Sequence, residues 1–436
     1  MKNGFGRYFF LTFLIGFGFF TMGLMDPLYD TYVPLFLRRY IGSNAAVGAL
    51  MTLDNILQLI LIPLVAVWSD RTSTRIGRRM PFIIVMLPIS ALLFGLIPPL
   101  AAVSLAALIA IIFFFNMFKT SVRGPVVALM PDTIPADYRS EANGIINMMG
   151  GIGLIVSTLV LARFVNVRVF APDSGAAEAG TGFNAPGSLP FGIACVCVIA
   201  AALVLFAFVR EKPGTETAEE HPPFFASIKS VFTGDSKNSV GRILISLFFW
   251  FLAYEGAKPF LGLYLVEYIG ADEASAALAQ GAAGISGVIL AVPSGYLAHK
   301  IGRKRFIRVC LILLAAILFI IPLSSLVSGN FTLTLRLAVF LGLMFLYGIF
   351  WIGVVVNSFP MLWQMSDFTT VGVYTGLYYT FSQSAAVLAP PVTGAVIDIG
   401  GYPGLFVFGG LAMLAAWFVM GGVKAGEAAD TGRAGP

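Results

Sequence analysis

Twelve long apolar runs constrain the fold of this chain of 436 residues. Each run has about 20 mainly apolar residues, the length that a helix needs to cross a bilayer. Charged residues make up only 11% of the chain, against roughly 25% in soluble domains. The chain is therefore predicted to be a multi-pass integral membrane protein in a lipid bilayer. The predicted spans are 8–37, 45–68, 82–100, 103–130, 142–162, 189–209, 243–266, 274–298, 306–327, 333–357, 371–397 and 402–423.

The loops between the spans differ in positive charge. If both termini are cytoplasmic, the cytoplasmic loops hold 19 Lys and Arg residues and the opposite loops hold five. An excess of Lys and Arg on the cytoplasmic side is what sets orientation in membranes. We therefore expect both termini to be cytoplasmic, in a bacterial inner membrane. Arg38 and Arg39 lie on the outer side, against the general bias.

A short motif recurs after half the chain. The letters "IGR" occur at residues 76–78 and again at 301–303, each time between the second and third spans of a set of six. This spacing predicts an N-terminal six-helix bundle at residues 1–209 and a C-terminal six-helix bundle at 241–423. The polar, proline-broken stretch 210–240 is predicted to be a cytoplasmic linker, and 424–436 a cytoplasmic tail.

Two stretches resemble a known family. A six-helix unit used twice in the same orientation is typical of the major facilitator fold. Within that superfamily, "SDRTSTRIGRRMPF" and "RGPVVALMPDTIPADYRSEANG" resemble the glycoside-pentoside-hexuronide:cation symporters, especially their sucrose-transporter-like branch. The resemblance implies an all-α protein that imports a glycoside, such as the disaccharides sucrose or maltose, together with a cation by alternating access.

The charged motif is expected to act as an inner gate. A carboxylate there can accept hydrogen bonds from arginine side chains, and in the resembled fold this loop holds the inner ends of the bundles together. The alternative is that the arginines only fix topology. In the second copy His299 stands where the first has the aspartate, which predicts a weaker gate there. The resemblance implies gating by Asp70, Gly77, Arg78 and Arg79. Further gating candidates are Arg71, Asp132 and Arg139.

Ionisable residues inside spans are candidates for cation coupling, because a charge within the bilayer costs several kcal/mol unless it is paired or hydrated. Predicted spans 3, 6, 9 and 12 have no internal Asp, Glu, Lys or Arg, since Arg308 lies at the cytoplasmic end of span 9. In the resembled fold spans 1, 4, 7 and 10 line the cavity, so the charge distribution agrees with that fold. Ion pairs that open when a carboxylate is protonated would provide the coupling. The candidates are Asp26, Asp30, Asp54, Lys119, Arg123 and Glu255.

Other interpretations of these residues remain open. Arg123 is shallow enough to reach the interface as an anchor. Glu255 and Lys258 are three residues apart and could only neutralise each other. Asp26 precedes Pro27 and could cap a helix after a proline kink.

The coupling cation is expected to be a proton. Sodium-using members of the resembled family have two aspartates one turn apart on span 2. Here Asp54 is followed at that spacing by Gln58. A sodium cage completed by Asp26 or Asp30 is the alternative.

Polar and aromatic side chains on the predicted cavity spans are candidates for binding the substrate. Sugars are held by planar side chains and by amides or carboxylates that bind paired hydroxyls. The alternative for each such residue is packing or anchoring at the interface. The candidates are Asn55, Gln58, Asn116, Asn147, Tyr254, Lys258, Gln280, Trp351 and Asn357.

No enzymatic motif is present. The chain has two histidines, and we find no phosphate-binding loop, nucleophile elbow or metal-ligand spacing. We expect no enzyme activity, no cofactor, no metal site and no nucleic-acid binding, and a protein that works as a monomer on a small sugar and a proton.

Two further hypotheses remain. One is a proton-coupled antiporter that exports a cationic amphiphile or a polyamine, with the carboxylates as counter-ions. The other is a transporter-like sensor that binds a ligand without turnover.

Overall fold

The computed structural model describes residues 6–135, 138–167, 185–211, 237–327, 331–365 and 371–424. Throughout these ranges regular structure is helical, and no strand occurs in them. The all-α prediction is thereby confirmed. Most of the predicted linker, residues 212–236, and of the predicted tail, residues 425–436, lies outside the described ranges.

Each predicted span contains one main helix, and some spans continue into shorter helical pieces, as at Asn44–Met51 before α2. Ten helical segments of the described chain are long and apolar enough to cross a membrane, whereas α3 has 16 residues and α11 is not among the ten. The helices are α1 (Gly6–Arg38), α2 (Leu53–Arg71), α3 (Met80–Gly95), α4 (Leu105–Thr133), α5 (Arg139–Ile155), α6 (Ser188–Phe208), α7 (Lys237–Ala257), α8 (Leu278–Ile301), α9 (Arg303–Val327), α10 (Leu333–Trp363), α11 (Val371–Gly400) and α12 (Tyr402–Gly421).

Local sequence sets several helix ends. Ser104 accepts a hydrogen bond from the amide of Ala107 at the start of α4, and Ser43 does the same for Ala46 at the short helix Asn44–Met51. A side-chain oxygen in this position satisfies an amide that has no partner within the helix.

The glycines of the repeated "IGR" motif, Gly77 and Gly302, both have positive φ, at 110° and 91°. The two copies therefore share a backbone turn that favours glycine.

The chain divides into two compact units. The first is formed by Met1–Thr217 and Pro259–Gly281, and the second by Ala218–Lys258 and Ala282–Pro436. Residues 259–281, which the repeat pattern places in the C-terminal bundle, thus cluster with the first unit. The helix of α7 ends at Ala257 and is followed by a 3₁₀ turn at Lys258–Phe260, where Pro259 cannot donate a backbone hydrogen bond.

Small residues and aromatic side chains form the core of the first unit. A Cβ on Gly23 would collide with the backbone of Gly150, so α1 and α5 approach closely through their glycines, as is common in membrane helix pairs. Phe94 and Phe191 stack with ring centroids 4.4 Å apart. In the second unit, Gly256 of α7 lies in the same way against Thr393 of α11.

Candidate functional site

A buried ion pair joins α1 and α4 in the first unit. Lys119 Nζ lies 2.7 Å from Asp26 Oδ1, and the side chains are 7% and 30% exposed. The ammonium group also lies 5.1 Å from the ring centroid of Tyr29 and 5.5 Å from that of Phe115. Cation–π contacts gain strength where water is excluded. Two aromatic faces and one carboxylate therefore hold the lysine.

A second chain of polar contacts links α2 to α4. The side-chain amide of Gln58 donates to Asp54 Oδ2 at 3.5 Å, and Arg123 Nη1 donates to Gln58 Oε1 at 3.3 Å. Asp54 and Gln58 are both 9% exposed. Gln58, which we had predicted to bind substrate, thus bridges two predicted coupling residues.

Tyr29 lies among these charges. Its hydroxyl accepts a hydrogen bond of 2.7 Å from the amide of Asn116, and its side chain is fully buried. The carboxylates of Asp26, Asp30 and Asp54 all lie within electrostatic range of it. We define the coupling cluster as Asp26, Tyr29, Asp30, Asp54, Gln58, Asn116, Lys119 and Arg123. Tyr29 was not among our predicted site residues, although an aromatic one turn after Asp26 and next to Asp30 was a usable signal.

The other predicted binding residues of the first unit are more dispersed. Asn147 is exposed, and its amide donates to the carbonyl of Asn143 at 2.8 Å in its own helix. Asn55 and Gln280 are half-buried.

Aromatic side chains of α7, α10 and α11 meet in the second unit. Tyr254 and Trp351 stack in parallel with centroids 4.0 Å apart, and Tyr347 is nearly parallel to Trp351 at 6.4 Å. Phe251 meets both Trp351 and Tyr378 edge-on. We call Phe251, Tyr254, Tyr347, Trp351 and Tyr378 the aromatic cluster.

Polar residues flank the aromatic cluster. Lys258 Nζ lies 3.7 Å from Glu255 Oε2, one turn apart on the chain. The predicted binding residue Asn357 is 2% exposed, and its amide donates to the carbonyl of Gly353 at 2.9 Å. The structure thus places Tyr254, Trp351, Glu255 and Lys258 together, while Asn357 bonds to its own helix.

The charged motif forms a compact network in the first unit. Arg78 donates to both carboxylate oxygens of Asp132, at 2.6 and 3.1 Å, and Arg79 Nε donates to Asp132 at 2.9 Å. Arg79 also contacts Asp70 and Ser69. The hydrogen bond with Asp132 raises the pKa of Arg78. These partners of Asp70, Arg78 and Arg79 all belong to the first unit.

Glu211 completes this network and was not predicted. It follows α6, and its two carboxylate oxygens accept hydrogen bonds of 3.1 and 2.9 Å from the backbone amide of Arg79 at the start of α3. Burial raises the pKa of Glu211 above its ordinary value, although the hydrogen bond from Arg79 opposes this. A Cβ on Gly77 would collide with Glu211, so glycine is needed there for space as well as for its φ of 110°. The acidic residue in "REKP" was the only sequence signal.

The remaining gating candidates have other surroundings. Arg139 donates to the carbonyls of Pro131 and Ile134, at 2.8 and 3.2 Å, and so binds the C-terminal end of α4. A cation there interacts favourably with the helix dipole. Arg71 is exposed.

The outer arginines that oppose the charge bias are paired. Arg38 Nε lies 3.1 Å from Glu267, and Arg39 Nη2 lies 3.2 Å from Glu273. The hydroxyl of Tyr32 donates to the carbonyl of Glu273 at 3.1 Å. We call these contacts the outer contacts. They join the end of α1 to the segment 259–281 within the first unit, so both of these arginines of the predicted outer side have a carboxylate partner.

Comparison with known proteins identifies the family. The family model of the Major Facilitator Superfamily matches residues 8–390 and 243–433. The chain belongs to the major facilitator superfamily. It is 24% identical over 411 residues to Multidrug resistance protein 2 of Bacillus subtilis, covering 91% of this chain and 90% of that protein. It is 29% identical over 118 residues to Sucrose transport protein SUC3 of Arabidopsis thaliana, covering 22% of this chain and 20% of that protein.

Solved structures agree with the major facilitator fold. The nucleoside transporter NupG matches with a TM-score of 0.72 at 12% identity, over 94% of this chain and 98% of that chain. A bacterial homologue of the human lysosomal transporter Spinster matches with a TM-score of 0.65 at 15% identity, over 96% and 95%. The predicted fold class is confirmed, and the chain is a multi-pass membrane transporter. The superfamily and these neighbours are transporters, which is consistent with the prediction that the chain is not an enzyme.

Proposed function

We propose that this transporter imports a glycoside, a disaccharide such as sucrose or maltose, together with a proton. The observation that carries the proposal is the ion pair of Lys119 and Asp26 in the coupling cluster. When every group is ionised, the cluster holds three carboxylates and two cations, so it has one excess negative charge. Uncompensated charge within a membrane is costly. One bound proton would neutralise the cluster.

Proton binding would release a constraint between two helices. A proton on Asp26 removes the charge that holds Lys119, and its departure restores the pair. Asp30 and Asp54 act electrostatically on Tyr29, as Asp26 does, and Gln58 joins Asp54 to Arg123. Glu255 and Lys258 in the second unit provide a further predicted pair. Alternating access would couple these changes to sugar movement.

The aromatic cluster supports a ring-shaped substrate. Parallel planar side chains such as Tyr254 and Trp351 can stack on the C–H face of a sugar ring, and Glu255 and Lys258 can bind its hydroxyls. The partial match to a sucrose transport protein supports the same substrate class and the glycoside-pentoside-hexuronide branch. Sodium in place of the proton is the alternative cation. We further propose cytoplasmic termini, supported by the charge bias of the loops, and a monomer in a bacterial inner membrane.

A proton-coupled exporter of a cationic amphiphile or polyamine is the second candidate. The near full-length match to a multidrug resistance protein favours it. In that case Asp26, Asp30, Asp54 and Glu255 would be counter-ions for the substrate.

The test is the pH outside lightly buffered, de-energised vesicles that contain the protein. A panel of disaccharides, monosaccharides and polyamines is added in sodium-free and sodium-containing buffer. External alkalinisation on addition of a sugar is expected. A response to organic cations alone would support the exporter. A sugar response that requires sodium would indicate sodium, in place of the proton, as the coupling ion.

A further inference from the structure

One end of the second unit has an excess of positive charge. It is the end at which α9 begins and α12 ends, and we predict it to be cytoplasmic. Within the described part of this unit the carboxylates are Glu255 and Asp398. Glu255 lies roughly 20 Å further along α7 than Arg242, at 1.5 Å per residue, and Asp398 lies in the last turn of α11, before α12 begins. The cations at this end are Arg242, Lys300, Arg303, Lys304, Arg305, Arg308 and Lys424.

Three of these cations converge on the end of α12. Arg242 donates to the carbonyl of Gly422. Arg308 Nη2 lies 3.4 Å from the position that a Cβ on Gly421 would take. The backbone amide of Lys424 donates to Ser239 Oγ at 3.1 Å, which holds the chain after α12 against the start of α7. We call Arg242, Arg308 and Lys424 the cationic cluster.

Arg308 is held so that part of its guanidinium group remains available. Its Cζ lies 4.6 Å from the ring centroid of Trp417, and the side chain is half-buried. Its Nε is buried and has no hydrogen-bond partner, and the same is true of Arg303 Nη1. Buried donors without partners cost free energy, and among the described residues neither nitrogen has an acceptor.

The arginines of the repeated motif have carboxylate partners in the first unit. There they bind Asp70, Asp132 and Glu211. In the second copy His299 stands where the first has Asp70. The cationic cluster therefore has no described carboxylate to bind at its own end of its unit.

We propose that the cationic cluster binds the phosphate of an anionic phospholipid from the cytoplasmic leaflet. Basic pockets between helices on the cytoplasmic side suit anionic head groups, and a guanidinium group can bind two phosphate oxygens at once. Trp417 is of a residue type that favours the membrane interface, where a head group lies. The ligand is a lipid phosphodiester because the cations lie at helix ends beside the bilayer. The inference is independent of the transported substrate.

The test is lipid binding to the purified full-length protein in detergent, measured by native mass spectrometry and by the thermal unfolding midpoint. Phosphatidylglycerol is titrated against phosphatidylcholine. The wild type is expected to bind phosphatidylglycerol preferentially and to unfold at a higher temperature with it. Each charge removed should weaken binding about fivefold, so Arg242→Gln with Arg308→Gln should weaken it ~25-fold.

Controls separate this site from general surface charge. Arg305→Gln removes an exposed cation from the same end of the unit, outside the cationic cluster, and should have a smaller effect than Arg308→Gln. Arg308→Lys retains the charge and should keep most of the binding. This variant provides a second readout in case the double variant folds poorly. Equal binding by the wild type and the double variant would overturn the proposal. The proposal would also be overturned if inorganic phosphate stabilised the protein as much as phosphatidylglycerol does. It would likewise be overturned if the lipid bound only after residues 425–436 were removed.

Discussion

Lys119 Nζ lies 2.7 Å from Asp26 Oδ1, and this pair joins α1 to α4. Breaking a buried pair by removing one partner typically costs about 3–5 kcal/mol, because one charge then remains uncompensated. Asp26 is 30% exposed, so we expect ~2 kcal/mol for Lys119→Met. The thermal unfolding midpoint in detergent measures this change.

The double variant provides the control. Lys119→Met combined with Asp26→Asn removes both charges and should recover part of the lost stability, as in a double-mutant cycle. Proton-coupled accumulation should be lost in both single variants and remain lost in the double variant. Strictly additive losses of stability would contradict a direct pair.

Asp54→Asn should abolish uphill accumulation of substrate while counterflow exchange continues. Its carboxylate accepts a hydrogen bond from Gln58, which in turn accepts one from Arg123. An amide can retain that chain of contacts but cannot take up a proton, so only the coupled step should fail. Uptake of labelled substrate in energised and de-energised vesicles measures both. A variant that still concentrates substrate would exclude Asp54 as a coupling residue.

The two aspartates of the inner network should differ in importance. Asp132 accepts hydrogen bonds from two arginines and is 17% exposed, whereas Asp70 pairs with Arg79 and is 45% exposed. Charge-assisted hydrogen bonds are worth ~2 kcal/mol when buried, but an exposed pair is worth ~1 kcal/mol or less. Asp132→Asn should therefore lower the unfolding midpoint more than Asp70→Asn. Equal effects would show that bidentate binding by Arg78 is unimportant.

Glu211 should make stability depend on pH. Burial raises its pKa in the folded protein above the ordinary value of 4.5. The folded state therefore favours the protonated carboxyl, and this contribution is present at low pH and lost as the pH rises through the folded pKa. Relative to Glu211→Gln, the wild type should lose stability as the pH rises from about 4.5 through that pKa. Parallel pH profiles of the two proteins would contradict this.

The outer contacts should be weak and sensitive to salt. Arg38 and Glu267 are 25% and 31% exposed, and partly exposed pairs are worth ~0.5–1 kcal/mol. Glu267→Gln should lower the unfolding midpoint slightly at low ionic strength, and the difference should shrink at high salt because charges are screened. Asn147→Ala, which alters an exposed residue on α5, serves as the control and should show no dependence on salt.

The sequence predicted the helices well because each span is a continuous apolar run. The repeated motif was also informative, since Gly77 and Gly302 share the same turn. The partner of Lys119 remained open among Asp26, Asp30 and Asp54, because helical periodicity does not determine how neighbouring helices rotate. Glu211 was missed because its role depends on a contact with a residue 132 positions away.

The segment 259–281 differs from the predicted repeat for a related reason. Hydropathy shows where the chain crosses the bilayer, but it does not show which neighbours a helix end contacts. Contacts such as Arg39 with Glu273 depend on residues 234 positions apart.

That segment has a consequence for how the chain can be divided. The backbone passes from one unit to the other at residues 217–218, 258–259 and 281–282. If the chain is cut within 210–240, the C-terminal fragment therefore carries 23 residues, 259–281, that belong to the folded unit of the N-terminal fragment. Co-expressed fragments should associate through this segment. An N-terminal fragment expressed alone should lack part of its own folded unit.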